Sequence, residues 1–178
     1  LSIMFLKVRD AFILVILAII AALLWRIDTS MSRFEKKLEI VEGTISFQMY
    51  ESIEHWSDSF EIPKHIAYNI AFKETRYRGP FDFNYEHRLE SSAGAVGPMQ
   101  IITKWAQKYS RRRVSERELK TNVDLNVKIS MQMLRKWHSI YGDWTKACGA
   151  YNSGQPIRNE YAVYATTNKN YKNKWERL

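Results

Sequence analysis

A single cysteine in 178 residues, Cys148, excludes any internal disulfide, so this chain must be stabilised by packing alone. It sits in the small-residue run Lys146-Ala147-Cys148-Gly149-Ala150, where no motif places a base beside it. That setting reads as a buried packing residue rather than a nucleophile. The four histidines form no His-x-x-x-His pair, and no Cys/His spacing suits a metal. No metal and no cofactor are therefore expected. Internal repeats and low-complexity tracts are also missing, and strand signals are few. What remains is a mostly helical globular chain.

Hydrophobic residues make up 46% and charged residues 26%, values ordinary for a folded domain. Once the hydrophobic amino-terminal segment is set aside, about 150 residues are left, enough for one domain with its own core. Six Trp and ten Tyr suit carbohydrate stacking, but suit an aromatic-rich core equally well. The formal net charge is +8, of which residues 1–28 carry +1 and the rest +7. Such a balance favours anionic partners. The cluster Arg111-Arg112-Arg113 is followed at once by Glu116 and Glu118 with no interleaved aromatics, so it reads as a solvated loop or helix start. No nucleic-acid partner is expected.

Residues 11–25 are an unbroken apolar run, preceded by Lys7 and Arg9 and followed by Arg26 and Asp28. Fifteen residues is short of the roughly 20 that span a bilayer. Snorkelling flanks and the apolar residues 1–6 extend it. No small-x-small cleavage site precedes a polar mature start, so an uncleaved signal anchor is favoured over a cleaved peptide. The immediate charged flank slightly favours the amino terminus inside and the domain outside; Arg33, Lys36 and Lys37 weaken that orientation.

The segment 63–74 reads P-K-H-I-A-Y-N-I-A-F-K-E. Proline suits a first helical turn, and Ile66, Ala67, Ile70 and Ala71 recur at helical spacing to mark a buried face. Glu74 lies four residues after Ile70 and three after Ala71, so it shares that face. A carboxylate there is either a paired charge or a proton donor whose pKa is raised by desolvation. Seventeen residues on comes Ser91-Ser92-Ala93-Gly94-Ala95-Val96-Gly97-Pro98-Met99-Gln100, and later Ala150-Tyr151-Asn152-Ser153-Gly154. Between them lies the run Asn126-Val127-x-x-Ser130-x-x-Met133-Leu134.

These four blocks, in this order, resemble the soluble-type lytic transglycosylases, relatives of goose-type lysozyme. Their pattern is a Glu step, then S-x-x-G-A-x-G-L-M-Q, an N-I-x-x-G-x-x-Y-L helix, and A-Y-N-A-G. Here Glu74-Thr75 forms the Glu step, Pro98 replaces Leu, and Ser153 replaces Ala. The similarity spans roughly residues 60–171. It implies a mainly α, lysozyme-like α+β fold and cleavage of the β-1,4 bond between N-acetylmuramic acid and N-acetylglucosamine in peptidoglycan. On that scheme Glu74 protonates the departing oxygen, the 2-acetamido group stabilises the cation, and Glu74 then takes the proton of the sugar's 6-hydroxyl. Ring closure leaves a 1,6-anhydromuramyl end.

Ser91, Met99, Gln100, Tyr151 and Asn152 are the candidate substrate-binding residues. Ser91 suits a bond to the acetamido group or to Glu74, although Ser-Ser is also cap chemistry. Met99 offers an adaptable apolar contact, and Gln100 can hold sugar or backbone polar groups. A Tyr151 hydroxyl aimed at Glu74 would tune its proton affinity; Asn152 suits a backbone-fixing role. Some relatives carry a second Glu four residues before a late Tyr. If Tyr171 is that Tyr, Thr167 stands in the Glu's place. Two alternatives stay open: a hydrolytic muramidase on the same scaffold, needing Asp82, Glu86 or Glu90 to activate water, and a non-catalytic wall-binding anchor.

The expected organisation is an anchor at 1–28, a stalk or packing helix at 29–59, and the catalytic domain at 60–178. Within the domain, helices are expected at 60–74, 103–110, 123–141 and 143–151, with a small irregular or β-like insertion at 79–90. The expected partners are peptidoglycan strands, a membrane reached through the amino-terminal helix, and a larger wall-spanning or phage assembly. The corresponding location is the inner membrane with the domain on the periplasmic side, or a virion if phage-encoded.

Overall fold

A computed structural model describes residues 16, 19–33, 35, 36 and 43–171. They fall into two units divided between residues 40 and 41. In the first, residues 19–33 are helical, and Ile19, Leu23, Leu24, Trp25 and Ile27 are all exposed. No helix among the described residues is long and apolar enough to cross a membrane. Much of the apolar run, 11–15 and 17–18, lies outside the described residues.

The second unit contains seven helices and one two-stranded sheet among its described residues. Helix α1 (Ile45–Ser59) begins where the Thr44 side chain accepts from Phe47 N–H at 3.2 Å. Its buried side is Met49 and Ile53 together with the small Ser46, Ser52 and Ser57. Trp56 stacks on Phe60 and Phe47 on Tyr50. Helix α2 (Lys64–Thr75) starts just after Pro63 and buries Ile66, Ala67, Ile70 and Ala71, the apolar face its spacing marks. It stops where Arg76 adopts a left-handed conformation and returns its N–H to Phe72 O.

Residues 79–90, expected as an irregular or β-like insertion, are irregular: a run of turns with a single bridge between Glu90 and Val96. The sheet lies in the glycine-bearing motif itself: β1 (Ala95–Val96) runs antiparallel to β2 (Ile101–Ile102). A glycine stands at each end of β1, Gly94 closing the turn before it and Gly97 opening the reversal into β2. Gly94 and Gly97 have φ of 75° and 78°, left-handed backbone that side chains rarely adopt. Gly97 is also crowded: a Cβ would lie 2.3 Å from Leu119 O and 2.4 Å from Asn126 Nδ2.

Helices α3 (Thr103–Tyr109) and α4 (Glu116–Thr121) follow, the second opened by a reciprocal capping box between Ser115 and Glu118. Arg112 in the intervening loop pairs with Glu118 at 2.8 Å. Helix α5 (Val123–Tyr141) is the central element, burying Val127, Ile129, Met131, Met133 and Leu134 and packing on α1, α3, α4 and α6. Gly142, left-handed, ends it. Helix α6 (Trp144–Ser153) is capped by Asp143, whose carboxylate accepts from Lys146 N–H at 2.7 Å, and ends at left-handed Gly154. Helix α7 (Glu160–Thr167) packs on α2 and α6. Neither α4 nor α7 was expected. Both are short, and α7 buries only Ala162 and Ala165, too little apolar periodicity to stand out.

One buried side chain fastens the glycine turn to α5. Asn126, fully buried, accepts from Met99 N–H at 3.0 Å and donates to Val96 O at 3.0 Å and Leu119 O at 2.9 Å. Asn126→Ala would strand three buried backbone groups, at about 1 kcal/mol or more each. Chemical denaturation should show a loss of about 3 kcal/mol or more. A loss below about 1 kcal/mol would mean that water replaces the amide.

Candidate active site

Glu74 closes α2, where the helix leaves its last carbonyls without intrahelical partners. An ionised carboxylate is disfavoured at such a helix end. The carboxyl lines a groove of about 450 Å³ whose opposite walls come from the sheet, α3, α5 and the end of α6. Removal from water pushes its pKa up to about 7, against the opposing pull of a hydrogen bond from Tyr161 and the charge of Lys73. A carboxyl poised there is still half protonated near neutrality, and can give a proton and take one back.

The tyrosine that reaches Glu74 is Tyr161, not Tyr151. Tyr161 O–H donates a short hydrogen bond to Glu74 Oε1, and burial beside that carboxylate holds the phenol well above its ordinary pKa. Tyr151 O–H donates instead to Met99 O at 2.6 Å and lies 3.1 Å from Ser130 Oγ. Its phenol is also pushed up by burial and by the Glu74 charge, so it stays a neutral donor bracing the motif from below. Tyr171, considered above as the late family tyrosine, stacks on Tyr68 with ring centroids 4.9 Å apart. Residue 157, four before Tyr161, is Ile157.

A chain of contacts places Tyr161. Asn159 caps α7 by accepting from Ala162 N–H at 2.8 Å, and its amide donates to Asn152 Oδ1 at 3.2 Å. Asn152 thus ties the end of α6 to the start of α7 and lines the groove as well. Gly149 lets the connection return tightly: a Cβ there would sit 2.0 Å from Ile157 O. The sequence signal for Tyr161 is an asparagine two residues before it, a cap residue opening a short helix, seven residues past Gly154.

The other expected residues divide between the groove and its support. Ser91 and Gln100 line the groove. Ser91 Oγ accepts from Ala95 N–H at 3.0 Å, the cap chemistry weighed above, and makes no bond to Glu74. Gln100, left-handed at φ 50°, spends its amide N–H groups on Leu89 O and Gly97 O at 3.1 and 3.0 Å. Its carbonyl oxygen makes no bond among the described residues. Met99 is fully buried and lies outside the groove lining, so its side chain presents no contact surface; its backbone carries the links to Tyr151 and Asn126. Thr75, beside Glu74, donates to Pro98 O at 2.8 Å and accepts from Tyr85 O–H at 2.7 Å, which pins the motif to α2.

Trp105, Tyr109 and Trp137 add aromatic faces to the groove, positions that composition did not single out. Among its lining residues Glu74 is the one carboxylate. The acids of the 79–90 segment are engaged elsewhere: Glu90 pairs with Lys120 at 2.8 Å, and Glu86 accepts from Arg88 N–H at 2.6 Å. Asp82 does not line the groove either. Burial pushes the Cys148 thiol up to about 12, so it is no nucleophile. No group of three His, Cys, Asp or Glu side chains among the described residues is placed to hold a metal ion.

The family model described as the transglycosylase SLT domain matches residues 51–174. No curated protein matches the chain.

Two titrations follow from this geometry. Glu74 has its ordinary pKa of 4.5 when unfolded and about 7 when folded, so the folded chain binds more protons between those values. Stability from this group is complete below pH 4.5 and is lost as pH rises through 7. Glu74→Gln removes that slope, and denaturation should find it more stable than the parent by up to about 3 kcal/mol at pH 8, and little different at pH 4. In Tyr161→Phe the carboxylate loses its donor. Its NMR titration midpoint should then move above 7; a downward movement would mean that the hydroxyl serves the protonated acid.

Proposed function

Because the chain belongs to the transglycosylase SLT domain family, we propose that it cleaves the MurNAc–GlcNAc β-1,4 bond of peptidoglycan with Glu74 as its single acid and base. Membership of that family supports peptidoglycan lytic transglycosylase activity in general, with peptidoglycan as substrate. The observation that carries the finer reading is a lone carboxyl in the groove, dehydrated to a pKa of about 7.

In the first step Glu74, protonated, hands its proton to the departing glycosidic oxygen as positive charge builds at the anomeric carbon. Tyr161 stabilises the carboxylate so produced. The substrate's own 2-acetamido oxygen can meet the cation, so no second protein carboxylate is needed. Glu74 then accepts the proton of the 6-hydroxyl as that oxygen closes on the anomeric carbon, giving a 1,6-anhydro end and leaving the acid protonated again. Hydrolysis on the same scaffold would need an acid to activate water, and the groove lining offers none beyond Glu74. Trp105, Tyr109 and Trp137 provide flat apolar surfaces for sugar rings.

We also propose a membrane tether on the amino-terminal side, with the domain facing the cell wall. The support is the apolar run 11–25 and its basic front, together with the exposed apolar side chains of the helical stretch 19–33. Fractionation of cells making the full chain should leave it with membranes after a high-salt wash; release by salt alone would contradict the tether.

Wild-type protein should lyse purified wall and Glu74→Gln should not, with a loss of at least about a thousandfold. Equal lysis by both would end the catalytic reading. Mass spectrometry of the digest should find products one water lighter than hydrolysed muropeptides. Because Glu74 must enter the reaction protonated, the rate should fall about tenfold per pH unit above 7.

A further inference from the structure

Tyr109, the last residue of α3, borders three depressions: the groove that holds Glu74, a neighbour of about 440 Å³ beside Phe60 and α5, and a third formed with Lys108, Gln132 and Lys136. The two outside the groove are cationic. Arg111, Arg112 and Lys128 line the one beside Phe60, Lys108 and Lys136 the other, and neither has a carboxylate in its lining. Of these, Arg112 is the one with an ion-pair partner among the described residues, Glu118 at 2.8 Å. Lys108 lies over the ring of Trp105, itself a wall of the groove, at 4.2 Å, and Lys128 over Trp56 at 4.4 Å. Arg111 and Lys136 are exposed and have no ion-pair partner among the described residues.

Like charges gathered beside the groove, in linings that hold no acid, repel one another and lower the cost of bringing in an anion. An anion attached to whatever fills the groove gains further, since its local concentration beside the shelf is set by a short tether. We propose that this shelf binds the carboxylates of the peptide stem borne by the muramic acid in the groove, so that the chain selects peptide-bearing strands over stripped glycan. The inference rests on the glycan-cleaving reading of the groove. A stem branches from the very sugar whose bond is cut, through its lactyl ether, and carries several carboxylates along its length. That fits a shelf continuous with the groove through one shared tyrosine. A free phosphate-rich wall polymer would need no such continuity.

The experiment compares glycan strands with intact stems against the same strands freed of peptide by an amidase. Binding is titrated with full-length Glu74→Gln protein, so that turnover plays no part. Peptide-bearing strands should bind more tightly, and the preference should shrink about fivefold when Arg111→Glu or Lys136→Glu is added. Lys146→Glu, an exposed charge of α6 that lines none of the three depressions, should leave it intact. In the active chain the shelf variants should raise KM by a similar factor on peptide-bearing strands only, with kcat unchanged. Equal affinity for both kinds of strand overturns the proposal. So does an equal loss on both in the shelf variants, or tighter binding of a phosphodiester wall polymer than of peptide-bearing strands. A chain that cleaves nothing yet keeps the binding preference would refute the catalytic reading and leave the shelf standing.

Discussion

Dehydration of one carboxyl group sets the terms for everything around it. Glu74 lies at the end of a helix, where bound water and the helix field would ordinarily settle its charge, yet it is sequestered from solvent there. Keeping it so requires a wall on each side. The glycine-bearing motif supplies one, pinned to α2 by Thr75 and to α5 by Asn126. The end of α6 and the start of α7 supply another, joined by the Asn152–Asn159 contact. Most of the expected binding residues serve this enclosure. Tyr151 braces Met99, Gln100 holds its own turn, and Ser91 caps one.

The same constraint explains which residues must be small. Gly97 allows the motif to lie against Leu119 O and Asn126, and Gly149 allows Ile157 to lie against α6. Neither contact could form around a Cβ, since a gap of about 2 Å is well inside contact distance. These glycines shape the groove although one touches only its supports and the other only a connecting loop.

Local periodicity made much of the fold legible. The buried face of α2 and the full length of α5 follow from apolar spacing, and the motif blocks place Glu74, the glycine turn and the end of α6 in one neighbourhood. The remainder depends on distances that a linear reading does not contain. Tyr161 sits on a helix with only two buried alanines, so nothing in its spacing announces it. Tyr151 has the right residue type at a motif position, but its hydroxyl is drawn to Met99 O, whose backbone acceptor no sequence displays. Met99 looks like an adaptable ligand contact until its burial is known. The 79–90 segment reads as irregular or β-like and is irregular, because strand pairing needs two partners, and the reversal at Gly97–Gln100 provides them within the motif itself.

On the proposed mechanism a single group acts first as acid and then as base, a conflict that burial alone would worsen. Dehydration favours the neutral form, and unopposed it would carry the carboxyl far enough upward that its conjugate base, though strong, forms too reluctantly. Tyr161 works against that drift. It donates to the carboxylate, and because its own pKa is held well above the ordinary phenol value it stays a donor throughout. Lys73 adds a weaker pull in the same direction. The outcome is a carboxyl whose two forms are nearly equal in free energy at neutral pH. On the proposed mechanism a proton then leaves it for the glycosidic oxygen and another arrives from the 6-hydroxyl without either step running steeply uphill. A second carboxylate close by would spoil that balance, because its charge would push Glu74 up again. Glu86 and Glu90 exert no such push: they are engaged with partners of their own and lie outside the groove lining.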